Sequence, residues 1–429
     1  MAGFSIWLVW NEKPDQQRQS QCLPFDIIRG VNSAQILGQI LAGDQAESID
    51  FEDFSPADWE NLLRLAGALL VAPLLYRQLK SRADIPPNIR DLLKGAYYRS
   101  HARYAYLAHE LQQILVKFRE ANIPVILLKG IYLADMVYQD AGLRPMGDLD
   151  LLVNWDDIPT GVEILSQLGY RPHVDYALEV ELDYAKHVPP YIKKDVAIEL
   201  HWSIVNPDAP AKVDVPGLWE RSLAFEQDGI QARSLCPEDL LLHLCLHSAQ
   251  HYFLQQLRTL CDIQAVIRKY AADLDWEVIL QRTQDWQAGR SVFLALYTTR
   301  KLLQVNIPEE ILETLLPADF SPAAYGWAQQ RIFQLEPALS DNFITLMARE
   351  SRTSRVKAFI AAMLPTRQVM ERIYGVESKS WRVWLRYPAH WRDRLRRYGQ
   401  RSLEMVQADS KTVEQARVQQ NLTAWLDQE

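Results

Sequence analysis

Asp148 and Asp150 stand one residue apart in the run Asp148-Leu149-Asp150-Leu151-Leu152-Val153. Such an apolar run reads as a strand, where residues i and i+2 share a face. The two carboxylates then project together while Leu149 and Leu151 turn into a core. Side by side on a rigid strand they repel, which is poor packing but suits a divalent cation. Mg²⁺ takes hard oxygen ligands and keeps positions open for phosphate oxygens. Glu199, in the alternating run Val196-Ala197-Ile198-Glu199-Leu200-His201-Trp202, is the best third carboxylate for a two-metal site. In such a site one ion activates an attacking hydroxyl and the other steadies a leaving pyrophosphate. Lys129-Gly130 offers the phosphate donors, a point charge followed by a backbone that permits close approach. Arg144 is placed to contact phosphate or to hold its loop. His201 shares the Glu199 face and is read as orienting Glu199 or touching a phosphate, with a structural histidine beside Trp202 as the alternative.

These side chains need elements to position them. Ile123-Pro124-Val125-Ile126-Leu127-Leu128 reads as a buried strand ending in Lys129-Gly130. A short helix over Ile131–Tyr138 and a polar loop over 139–147 lead to the Asp148 strand. A helix over Ile158–Leu168 stops at Gly169, and the Glu199 strand follows. Upstream, Ser55-Pro56-Ala57-Asp58 reads as a helix N-cap with proline at the first position. A second helical pattern spans Ile89–Phe118. From Asp214 onward the pattern predicts helix throughout, over Asp239–Leu254, Leu257–Tyr270, Trp276–Gln287 and Ser291–Leu303.

The chain has 429 residues, 48% hydrophobic and 23% charged, with a formal net charge of −8. That length calls for more than one core unit, and the composition argues against extended disorder. The net acidity speaks against a nucleic-acid coat while leaving room for a local basic patch. The four cysteines, Cys22, Cys236, Cys245 and Cys261, include no C-x-x-C pair and suit a reducing cytoplasm. No apolar stretch reaches the roughly 18–20 residues a membrane span needs. The run Phe4–Trp10 reads as a docked N-terminal strand. A cytoplasmic protein is expected.

Three blocks carry a family resemblance: Leu128-Lys129-Gly130; Leu143-Arg144-Pro145-Met146-Gly147-Asp148-Leu149-Asp150-Leu151-Leu152-Val153; and Glu199-Leu200-His201-Trp202. Together they resemble the uncharacterised bacterial nucleotidyltransferase family of the DNA polymerase beta-like superfamily. Pro237–His247 and Leu257–Asp262 are similar to that family's helical half, so the resemblance covers roughly residues 55 to 305. It implies an α+β fold, a small mixed-sheet nucleotidyltransferase core embedded between N-terminal and C-terminal helical regions. It also implies Mg²⁺-dependent transfer of a nucleoside monophosphate from a nucleoside triphosphate such as ATP to an acceptor hydroxyl. The superfamily's usual Gly-Gly or Gly-Ser at the helix head is Gly130-Ile131 here, with a longer interval to the aspartates.

The expected organisation is a helical region over 1–120, a nucleotidyltransferase core over 121–235, a helical domain packed on it over 236–330, and a helical region over 331–429. Asp148, Asp150 and Glu199 are the expected catalytic metal ligands. Lys129, Gly130, Arg144, His201 and His247 are the expected nucleotide contacts. His243, His247 and His251 recur every four residues along one helix stripe. Zinc would favour such imidazoles, but no H-E-x-x-H glutamate accompanies them, so His247 and His251 are read as facing the cleft, with core or interface packing as the alternative. Trp381–Arg401 interleaves arginines with aromatics. Nucleic acid is a possible but unfavoured partner for it, against a solvated helical face packed through its tryptophans. The alternative to catalysis is a catalytically inactive module of the same fold that binds nucleotide or a partner.

Overall fold

A computed structural model describes residues 33–43, 49–173, 185–335, 367, 381–388, 392 and 410–428. The expected strand over Phe4–Trp10 and most of the basic-aromatic segment lie outside the described residues.

Four helices open the described chain: α1 (Ser33–Ala42), α2 (Pro56–Ala68), α3 (Ala72–Leu79) and α4 (Pro87–Glu120). Helix α2 starts on a capping box. The Asp58 amide donates to Ser55 Oγ, and the Asp58 carboxylate accepts from the Ser55 amide at 2.9 Å. Strand β1 (Ile126–Leu127) runs into a single helical turn, α5 (Gly130–Tyr132), which continues as a π-helical turn over Leu133–Val137. Strand β2 (Asp148–Leu152) and helix α6 (Ile158–Gln167) follow, then β3 (Arg171–Pro172), β4 (Tyr191–Lys193) and β5 (Val196–His201). After a short helix, α7 (Val215–Glu220), come β6 (Leu223–Gln227) and β7 (Ile230–Ser234). The remaining described helices are α8 (Pro237–Gln250), α9 (Leu257–Lys269), α10 (Trp276–Asp285), α11 (Gly289–Leu303), α12 (Glu309–Leu315), α13 (Pro322–Ile332) and α14 (Ser410–Leu426).

The seven strands form one mixed sheet in the order β3-β4-β5-β2-β1-β7-β6. Strands β2 and β5 are parallel, as are β1 and β7, and the other pairs are antiparallel. Helices α4 and α6 cover one face. Gly161 lets α6 come close, because a Cβ there would stand 3.0 Å from Leu200 Cδ1 and 3.4 Å from Phe118 Cζ. The fold is therefore the expected α+β arrangement, a mixed-sheet core with helices before and after it.

One expectation fails. The chain does not stay helical after Asp214, since β6 and β7 form a hairpin that closes the sheet edge. Its turn is Asp228-Gly229, with φ of 49° and 81°, the left-handed pair that a two-residue type I′ turn requires. The flanking strands are half exposed and carry Glu226, Gln227, Gln231 and Arg233, so their apolar alternation is weak. Among the described residues, no helix is long and apolar enough to cross a membrane.

Candidate active site

The sheet face opposite α6 carries the ionisable residues. Leu200 meets α6, so Glu199 and His201, one residue to either side, point the other way. The β2–β5 register aligns Asp150 with Glu199 and Asp148 with Ala197. Asp148, Asp150, Glu199 and His201 thus share one face of two adjacent strands.

Asp150 is 8% exposed and has both oxygens engaged. Lys129 Nζ lies 3.0 Å from Oδ2, and His201 Nε2 lies 3.2 Å from Oδ1. Burial works to raise the Asp150 pKa, but the Lys129 ammonium and then His201 outweigh it and hold the carboxyl well below its usual range. Asp148 goes the opposite way. The Asp150 charge beside it, and then burial, raise its pKa, while Lys129 and Arg258 oppose the rise. Two carboxylates this close divide their titration, so the inner one ionises first. Glu199 Oε2 lies 3.4 Å from His201 Nε2 and 3.9 Å from His187 Nε2. Burial pushes Glu199 up, yet the His201 hydrogen bond leads the contacts that bring it below its ordinary value.

Lys129 reaches Asp150 because Gly130 turns the chain sharply out of β1. Gly130 adopts φ +49°, and the nearest atom to a Cβ there would be Met146 Sδ at 3.9 Å. The glycine meets a conformational demand there, since space is available.

The loop before Asp148 is held at three points. Arg144 is 3% exposed and makes a forked ion pair with Asp262 of α9, Nη2 to Oδ2 at 2.9 Å and Nε to Oδ1 at 3.0 Å. The Tyr138 hydroxyl donates to the same Asp262 at 2.9 Å. Arg258 Nη1 donates to the Pro145 carbonyl at 2.7 Å, and Arg103 Nη2 donates to the Gly147 carbonyl at 2.9 Å. Of the two roles open to Arg144, phosphate contact and loop anchor, the structure displays the anchor.

Three neighbours of the carboxylates escaped the sequence reading. The Lys186 carbonyl accepts from the Trp202 amide and the Val188 amide donates to the Leu200 carbonyl, which lays residues 186–188 along the end of β5. This brings Lys186 and His187 beside Glu199. Lys186 is 9% exposed and donates to Gln250 Oε1 at 2.6 Å. Burial, and then the Lys129 charge, lower its pKa to about 8. Arg258 is the third, coupled electrostatically to Asp148. A Lys-His pair before Pro189-Pro190 and an arginine on an amphipathic helix were the only signals available. Neither fixes a position in space.

Helix α8 brings its histidine stripe to the same region. The His243 and His247 rings are 6.2 Å apart, and the His247 and His251 rings 4.5 Å apart. Burial leads the causes that keep all three below the usual histidine pKa, His251 at about 4, with the Lys129 and Lys186 charges adding to it. His243 is 2% exposed, and both its ring nitrogens lack a protein partner, as does Nδ1 of His201.

This donor set fits a divalent cation. Asp150, Glu199 and His201 offer ligand atoms within 4.8 Å of one another, and Asp148 lies on the same face just outside that group. Lys129, Lys186 and Arg258 ring the carboxylates with positive charge, as a triphosphate would require.

Comparison with known proteins agrees with the sequence blocks. The family described as uncharacterised nucleotidyltransferase matches residues 55–304, more than half of the chain, and the chain belongs to that family. No curated protein matches. Among solved structures, the chain is similar to the antibiotic-resistance factor ANT(2'')-Ia in solution. The match has 14% identity and a TM-score of 0.30, over 47% of this chain and 98% of the other.

Proposed function

We propose that this member of the nucleotidyltransferase family moves a nucleoside monophosphate from a nucleoside triphosphate to an acceptor hydroxyl. The acceptor oxygen bonds to the α-phosphorus, the bond from that phosphorus to the β-phosphate bridging oxygen breaks, and pyrophosphate leaves. The observation that carries the reading is the alignment of Asp150 with Glu199 across parallel strands, with Asp148 on the same face.

Asp148, Asp150 and Glu199 would hold the divalent cation, Mg²⁺ by default, which lowers the pKa of the acceptor hydroxyl and neutralises charge on the phosphates. Lys129 and Arg258 supply fixed positive charge to the triphosphate, and Gly130 lets the backbone approach it. Glu199, 22% exposed at its side chain, is placed to take the hydroxyl proton, with His187 behind it. Burial, then the His201 charge, lower the His187 pKa and keep its ring neutral beside Glu199. The loop pinned by Arg144, Arg258 and Arg103 keeps Asp148 in place.

The test supplies the full chain with Mg²⁺ or Mn²⁺, α-labelled ATP, GTP, CTP or UTP, and a panel of hydroxyl acceptors: nucleosides, sugars, aminocyclitols, RNA and a folded protein. Pyrophosphate release with transfer of label is expected. Asp148→Asn should lower it about 100-fold or more, because an anionic ligand of the cation that stabilises the developing negative charge is lost. Undiminished turnover in that variant would sink the assignment. The Gly130-Ile131 departure favours a second reading, a nucleotidyltransferase fold without transfer. Calorimetry showing no binding of any of the four triphosphates would establish it.

A further inference from the structure

His201 occupies an unusual place for a histidine beside two acids. It sits two residues beyond Glu199 on β5, on the same face, in register with Leu152. Its side chain is 5% exposed, and Nε2 points between Asp150 Oδ1 at 3.2 Å and Glu199 Oε2 at 3.4 Å. The ring is braced by His187, whose centroid lies 4.8 Å away. Both carboxylate oxygens face Nε2 while Nδ1 has no protein partner, so a metal bound at Nε2 would leave the ring proton on Nδ1. Among the described residues, Asp150, Glu199 and His201 are the group whose ligand atoms converge within 4.8 Å.

Ligand chemistry then discriminates between cations. Mg²⁺ takes oxygen and dehydrates reluctantly, whereas an imidazole nitrogen suits the borderline divalent ions. Two or three carboxylate oxygens with open positions for phosphate suit the hard ions Mg²⁺ and Mn²⁺, and the single nitrogen favours Mn²⁺ of the two. We propose that His201 Nε2 is a direct metal ligand, completing an Asp150–Glu199–His201 site that selects Mn²⁺ over Mg²⁺. This deepens the transferase reading and rests on it for the reason the chain holds a metal.

The test adds Mn²⁺ alone to the full chain and records pulsed electron paramagnetic resonance of the bound ion. Modulation from a directly bonded ¹⁴N is expected in the wild type and should vanish in His201→Asn, which still binds Mn²⁺ about tenfold more weakly. Bound Mn²⁺ without nitrogen modulation would overturn the proposal. So would modulation that persists in His201→Asn, because another imidazole would then be the ligand. Competition of Mg²⁺ against Mn²⁺ on the wild type needs no variant. Mn²⁺ should bind at least about tenfold tighter, and equal affinity would count against the proposal. Pyrophosphate release is read separately. Its absence with nitrogen modulation intact would remove the transferase reading and leave the site, and its presence without modulation would do the reverse.

Discussion

Lys129 is the residue whose structural placement adds most to its sequence reading. Its ammonium rests 3.0 Å from Asp150, where it neutralises the carboxylate that a metal would otherwise neutralise. Lysine and metal then compete for one oxygen, and the metal frees the lysine for phosphate. Lys129→Met should therefore tighten nucleotide-free Mn²⁺ binding severalfold. It should weaken triphosphate binding about tenfold, the equivalent of ~1.4 kcal/mol for one charge-assisted contact. Two calorimetric titrations check this, and a variant that weakens both equally would refute the competition. At this scale the sequence was informative where local periodicity decides geometry. The two-residue repeat of a strand puts Asp148 with Asp150 and Glu199 with His201. Lys186, His187 and Arg258 were not legible, because their approach to the carboxylates depends on how a loop and a distant helix pack on the sheet.

Between elements, the pairing of Arg144 with Asp262 couples the loop before β2 to helix α9. Both side chains are at most 3% exposed, and Tyr138 joins them from the residue that follows the π-helical turn. Breaking a buried pair strands an uncompensated charge, at a cost of about 3–5 kcal/mol, whereas removing both charges together is much cheaper. Asp262→Ala should destabilise the chain by that order in urea unfolding. Arg144→Met with Asp262→Leu should recover most of the loss while leaving the loop less well placed, seen as reduced turnover in a stable protein. Full activity in the double variant would show that the pair contributes stability alone. The long helices α4, α8, α9 and α11 were readable from apolar spacing and caps, and so was the β2–α6–β5 succession. The short strands were not. Strands β3 and β4 have two and three residues, too few for alternation to register. The β6–β7 hairpin is polar on its outer face, and its sequence signal is confined to the Asp228-Gly229 turn.

Across the whole molecule, a chain of net charge −8 sets Lys129, Lys186 and Arg258 around one cluster of acids and keeps a set of histidines neutral beside them. His187, His243, His247 and His251 all have pKa values below the ordinary 6.5, burial being the leading cause in each. In the unfolded chain each would titrate at about 6.5, so below that pH the unfolded state binds more protons than the folded one. Stability therefore rises with pH through this window and is lost as pH falls from 6.5 toward 5, above the range where most carboxylates begin to protonate. One histidine held neutral contributes a slope of up to about 1.4 kcal/mol per pH unit. His243, 2% exposed, is the ring to which that figure applies; the half-buried His187 and His247 add less, and the solvent-screened His251 least. His243 also has two buried nitrogens without protein partners, so at neutral pH it is a destabilising choice that an apolar side chain of similar volume would relieve. His243→Leu is accordingly expected to raise the urea midpoint at pH 7 and to flatten its decline between pH 6.5 and 5. Urea melts of wild type and variant at pH 7.0, 6.0 and 5.0 read both effects. A wild-type midpoint unchanged across that range would mean that the histidines charge freely in the fold. A variant less stable at pH 7 would mean that bound water or a neighbouring group already satisfies the His243 ring.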